Sequence, residues 1–314
     1  MDSAKMTSVK LCGLLMATLL LLVGCGSDMP DVPSEPDKTV EAVSEALSKG
    51  EPIMVWAAMP ESYRTDVTEL VHSFGDAVDK EVYDKSFSVM GKLANVLESK
   101  KQFVLNSPAV TQNEQIDKAQ LEANYDAAVK MIKELTGSSI NSVDGLKKLD
   151  IADFLGDEGA TIGQHLAKLS AASPDNPMAQ LAKTKAKVLE TTDGVATVEI
   201  TGPDGKTQKE KMVQVEGRWI LKEMADEWDE GMADARKNIA EMKQKGMPNK
   251  KEAMGMLAYL EAALDELDKT QTQEEFDQQI GGLVGGLMSM MMGGGGMGPG
   301  MGPGMGPGMG PGGM

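Results

Sequence analysis

The sequence predicts an α+β fold, predominantly helical, and three observations point to it. Apolar residues recur at helical spacing through most of residues 39–170 and again from 226 onward. Between residues 186 and 222 the period changes to two, with Asp-Gly and Glu-Gly pairs between short runs. The chain is rich in alanine, leucine and methionine while aromatics make up only 4%. That palette suits packed helices better than a large β-sandwich.

Taken in order, residues 25–38 hold three prolines and no periodic apolar pattern, and read as an extended tether. Thr39 is expected to cap a helix bearing Val40, Val43 and Leu47 on one face and stopped by Gly50. A long helical tract over about 61–105 carries Val67, Leu70, Val71, Phe74 and Val78, and Ser107-Pro108 ends it. The next helix, about 114–136, places Leu121, Tyr125, Val129, Ile132 and Leu135 on one stripe and closes at Gly137. Shorter helices are expected around 143–155 and 161–170. The alternating runs Ala196-x-Val198-x-Ile200, Met212-Val213-x-Val215 and Trp219-x-Leu221, with the turns Asp193-Gly194, Gly202–Gly205 and Glu216-Gly217, predict a four-strand antiparallel meander over about 186–222. Residues 39–225 thus form one helix-rich α+β domain.

Residues 226–268 are expected to fold as an antiparallel helical hairpin. Trp228, Met232, Ala235, Ile239 and Met242 recur at heptad-like steps, as do Ala253, Leu257, Leu260, Leu264 and Leu267. In that register Ile239 faces Leu257, and the acidic groups around Asp226 and Asp265 meet at the open end, a place for solvated charge or a divalent cation. Thr272-Gln273-Glu274-Glu275 is a capping box for a last, apolar and glycine-rich helix over 272–292. Its Ile280, Leu283, Val284 and Leu287 are candidates for docking on the body, on a partner protein or on a second copy. Gly281, Gly282, Gly285 and Gly286 have the spacing that permits close helix contact, but the apolar stretch is too short to span a membrane. Residues 293–314 are glycine, methionine and proline only and are expected to be disordered.

The N-terminus carries the strongest functional signal. Lys5 and Lys10 precede an uncharged, leucine-rich stretch, Leu11 to Val23, of signal-peptide rather than transmembrane length. It ends in Leu22-Val23-Gly24-Cys25, which resembles the lipobox of bacterial lipoproteins. The resemblance implies a signal segment over residues 1–24, cleavage before Cys25, a diacylglycerol on its sulfur, usually an acylated (for example palmitoylated) amino group, and a body outside the cytoplasm, in the periplasm or elsewhere in the cell envelope. The meander, closing on Val215-Glu216-Gly217-Arg218-Trp219, resembles that of nuclear-transport-factor-like (cystatin-like) α+β domains found in bacterial lipoproteins. That family includes enzymes, binders and scaffolds, so it implies a fold and no single activity.

Composition narrows the rest. The net charge is −17, and removing residues 1–24 takes away two lysines and one aspartate, which makes it −18. Such a surface repels nucleic acid and anionic headgroups, so membrane attachment falls to the lipid. The two cysteines are Cys12, in the signal, and Cys25. No thiol is then left for a disulfide, a nucleophile or a zinc site. His72 and His165 lie at no metal-ligand spacing, and no hydrolase, protease or phosphate-loop motif occurs. Trp56, Trp219 and Trp228 are read as packing rather than pocket residues. We therefore expect a non-enzymatic, lipid-anchored envelope protein, structural or protein-binding, with Cys25 lipidated and no catalytic residue, cofactor or metal assigned. The alternative is a small-molecule or metal-handling lipoprotein. It would use a pocket under the meander, or the methionine-rich tail from Met288 to Met314, whose thioethers suit Cu(I).

Overall fold

The computed structural model describes residues 29–112, 116–171 and 176–292. The fold is α+β and mostly helical, as the sequence predicts. The helices before the sheet are α1 (Pro36–Lys49), α2 (Ile53–Ala58), α3 (Glu61–Ala77), α4 (Lys80–Ser99), α5 (Lys101–Asn106), α6 (Pro108–Thr111), α7 (Lys118–Gly137), α8 (Val143–Leu146), α9 (Ile151–Gly156), α10 (Glu158–Ala171) and α11 (Pro177–Leu181). The sheet follows as β1 (Lys185–Thr192), β2 (Val195–Thr201), β3 (Thr207–Val215) and β4 (Arg218–Leu221). Three long helices close the described chain: α12 (Lys222–Lys245), α13 (Lys250–Lys269) and α14 (Gln273–Met292).

The meander is antiparallel in the order β1-β2-β3-β4. Its outer hairpins turn on Asp193-Gly194 and Glu216-Gly217, where both residues of each pair have positive φ, the two-residue turn whose twist matches paired strands. Ala196 and Val198 of β2 are fully buried and Met212 of β3 is nearly so. They pack with Val40 of α1 and with Trp219, so the face of the meander under α1 is filled with side chains rather than open as a pocket. Strand β1 lies at the edge, a hazard for stray strand pairing. Glu41 of α1 accepts from the Ala186 backbone N–H at 3.2 Å, and a bulge interrupts the strand between Val188 and Glu190.

Several predicted boundaries move. Thr39 is not a cap: α1 starts at Pro36, whose missing N–H costs nothing in a first helical turn. Thr39 instead sits buried one turn in, its hydroxyl donating to the carbonyls of Pro33 and Glu35, both at 3.0 Å. Gly50 does stop the helix, at φ 76, and a Cβ there would fall 2.3 Å from the Gly163 backbone of α10. The tract read as one helix over 61–105 is three. It breaks where Val78 turns extended and Asp79 caps α4, accepting from the Val82 N–H at 3.2 Å. The segment read as an extended tether lies, over its described residues 29–38, against the body. Met29 packs on the cluster of Trp56, Leu149 and Ile151. Ser34 O accepts from Trp219 Nε1 at 2.7 Å.

The predicted hairpin over 226–268 is the main correction. Both helices form, but they do not pair along their stripes. Helix α12 lies on α3: Trp228 stacks flat on Tyr63 with centroids 3.8 Å apart, and Asp66 accepts from Trp228 Nε1 at 2.9 Å and from Arg236. Helix α13 lies on α4, where Leu264 and Leu267 meet Val89 and Val96 in a core completed by Phe276 of α14. Lys92 pairs across that seam with Asp265 at 2.7 Å, and Lys85 with Glu261. The antiparallel pair is α13 with α14, joined through residues 270–272. The acidic cluster expected at the hairpin's open end therefore does not assemble. Asp226 is held by Lys222, Asp265 by Lys92 and Glu266 by Lys269.

Candidate functional site

Helix α14 combines a fixed root with an uncovered outer face. The capping box forms as predicted: the Glu275 N–H donates to Thr272 Oγ1 at 3.2 Å, and the Glu275 carboxylate accepts from the N–H groups of Gln271 and Thr272. Those backbone donors hold the Glu275 carboxyl below its usual range. The next residue, Phe276, is 1% exposed and meets the Phe103 ring at 5.7 Å. Gln273 donates to Phe103 O at 2.9 Å. Ile280 and Leu283 continue the buried stripe against the α4–α13 core.

Beyond Leu283 the helix changes character. Tyr259 of α13 lies across it, its hydroxyl donating to Gly282 O at 3.2 Å. A Cβ at Gly286 would fall 1.9 Å from that hydroxyl oxygen, so glycine is what admits the ring here. At Gly281, Gly282 and Gly285 an added Cβ would meet nothing within 4 Å, so these residues leave open backbone on the outer side. Val284 is 49% exposed and Met288 61%. Of the four predicted docking residues, Ile280 and Leu283 are thus spent on the protein's own core, Leu287 is half-buried, and Val284 faces out. From Gln278 onward the chain carries no charge, on a protein of net charge −17.

The remaining candidates take ordinary structural places. His72 Nε2 bonds Leu149 O at 3.0 Å, and His165 is half-buried on α10. Among the described residues no three His, Cys, Asp or Glu side chains are placed to hold a metal ion. Trp56 is core, Trp219 packs on the sheet, and Trp228 belongs to the α3–α12 contact. An open cleft of about 880 Å³ lies between α4 and α13, lined by Asp79, Glu81, Asp84, Lys80, Lys85 and Lys250 among others. Its charges are largely committed to each other: Lys250 to Asp79 and Glu81, and Lys80 to Asp84. Cys25 and the methionines from Met297 to Met314 lie outside the described residues, as do the signal segment expected over 1–24 and the tail 293–314. No described helix is long and apolar enough to cross a membrane. No family model, curated protein or solved structure matches this chain.

Proposed function

We propose that this is a non-enzymatic, lipid-anchored protein of the bacterial cell envelope, and that the outer face of α14 is its protein-binding surface. The anchoring half rests on the Leu22-Val23-Gly24-Cys25 boundary after a leucine-rich stretch. The observation that carries the binding half is the division of α14. One side is locked into the core by Phe276, while the other presents open glycine backbone, Val284 and Met288 without charge. Apolar surface of this kind, set in a strongly acidic exterior, is where a partner gains most from excluding water and meets least repulsion.

The test has two readouts on protein from native membranes. The mature N-terminal peptide should begin at Cys25 and carry acyl mass; a start elsewhere with a free thiol at Cys25 refutes the anchor. A photo-crosslinking side chain at Val284 should give a discrete adduct in intact cells, whereas the same group at exposed Lys130 on α7 should not. Identical background at both positions refutes the binding face.

A further inference from the structure

The order of the segment before α1 decides how the body sits on its membrane. Residues 29–35 are pinned at three points: Met29 on the Trp56–Leu149–Ile151 cluster, Ser34 O under Trp219 Nε1, and Pro33 O under the Thr39 hydroxyl. Three residues, 26–28, separate Met29 from Cys25. Four Cα steps of an extended chain cover at most about 14 Å. A compact body of this length has a radius of gyration of about 19 Å, from the usual scaling of chain length with size. The reach from Cys25 to Met29 is therefore shorter than the body's own radius, and the body cannot turn an arbitrary side to the surface.

Resting on the lipid-anchor reading, we infer that the face around Met29, where α2 and α9 meet, lies against the bilayer headgroups. The lipid supplies the attraction. Asp31 and Glu35 are exposed beside Met29, so this face fits a zwitterionic headgroup layer better than an anionic one. Helix α14 packs against α5 and α13 and not against α2 or α9, so its outer side is not part of that face.

In mature acylated protein the sulfur of Cys25 is blocked and Cys12 is gone, so one introduced cysteine gives one label. Donor fluorophores on Asp31→Cys and on Val284→Cys are compared in phosphatidylcholine vesicles carrying a headgroup acceptor. Energy transfer from residue 31, six residues from the acylated Cys25, should exceed that from residue 284. Inserting about twenty Gly/Ser residues after Ser27, which leaves the body untouched, should bring the ratio close to one. Equal transfer from the two positions in acylated protein, or a ratio unmoved by the insertion, overturns the orientation while leaving the anchor standing. A Cys25 without acyl mass, read separately on the same sample, overturns the anchor and the orientation with it.

Discussion

Replacing Gly281 and Gly285 together by alanine separates what α14 needs for folding from what it offers a partner. Neither glycine has a positive φ, and a Cβ at either meets nothing within 4 Å. In the free protein each change should therefore return the helix-propensity difference between glycine and alanine, about 1 kcal/mol. Two such changes lower the population of the frayed helix by roughly 30-fold, at about 1.4 kcal/mol per factor of ten. Amide hydrogen exchange over residues 283–288 should slow by that factor, while exchange in β2 stays as it was. Gly286→Ala is the internal control with the opposite sign. Its Cβ would fall 2.7 Å from Tyr259 Cζ and nearer still to the hydroxyl, so the ring must leave its seat and its hydrogen bond to Gly282 O. Overpacking of that kind costs about 1–3 kcal/mol, which offsets or exceeds the propensity gain. If exchange speeds up in the Gly281/Gly285 pair, or if Gly286→Ala stabilises as much as they do, the placement of α14 is refuted. The pair should also weaken the Val284 adduct, because two methyl groups would stand where a partner backbone is meant to approach.

Two further outcomes follow from the packing. Phe276→Ala empties a site 1% exposed among Val89, Val96, Leu264 and Leu267, and should lower stability by about 3–5 kcal/mol, checked by urea unfolding. Hydrogen bonds from Trp228 and then Arg236 hold the Asp66 carboxyl below its ordinary value of 3.8. A depressed folded value means that this contribution is complete above the unfolded value and fades as pH falls through the folded one. The stability gap between the natural protein and Asp66→Asn should thus be constant near neutrality and shrink below about pH 4, read from thermal melts across pH; a gap that widens on acidification refutes the assignment.

Much of this fold is legible because its signals are local. The meander follows from residues that dictate their own turns: Asp193-Gly194 and Glu216-Gly217 adopt the paired positive φ values that such dipeptides favour. The capping box at Thr272 and the stop at Gly50 are likewise set within a few residues. The break at Asp79 escapes a reading by periodicity although its signal is local too, an aspartate accepting the N–H three residues on. Apolar residues that keep helical phase across the gap, from Phe74 and Val78 to Val82, mask it. The start of α3 is legible from Pro60 and from Glu61 in the first turn, but its capping is not: Pro60 has no side-chain cap to give, and Glu216, 154 residues from Ser62, accepts from the Ser62 N–H instead.

Helix pairing shows where periodicity stops being informative. The stripes on α12 and α13 are real, and Met232, Leu264 and Leu267 are all buried. A stripe states which face of a helix leaves water, not what covers it. A short connection favours antiparallel neighbours only when no better surface competes. Here two surfaces compete and prevail. Tyr63 and Asp66 on α3 present a flat ring and a carboxylate at the spacing that Trp228 and Arg236 satisfy together. Val89, Val96 and the ammonium groups of Lys85 and Lys92 on α4 match the leucines, Glu261 and Asp265 of α13. Pairing α12 with α13 would bring Asp226, Glu227 and Asp229 beside Asp265, Glu266 and Asp268, with only Lys222 and Lys269 of the same two helices to offset them. Like charges that close destabilise, whereas the observed partners place a lysine or arginine at each seam. The partial misfit of charge in the hairpin register is therefore the informative feature, and with α13 thus docked on α4, its free flank is what receives Phe276 and roots α14.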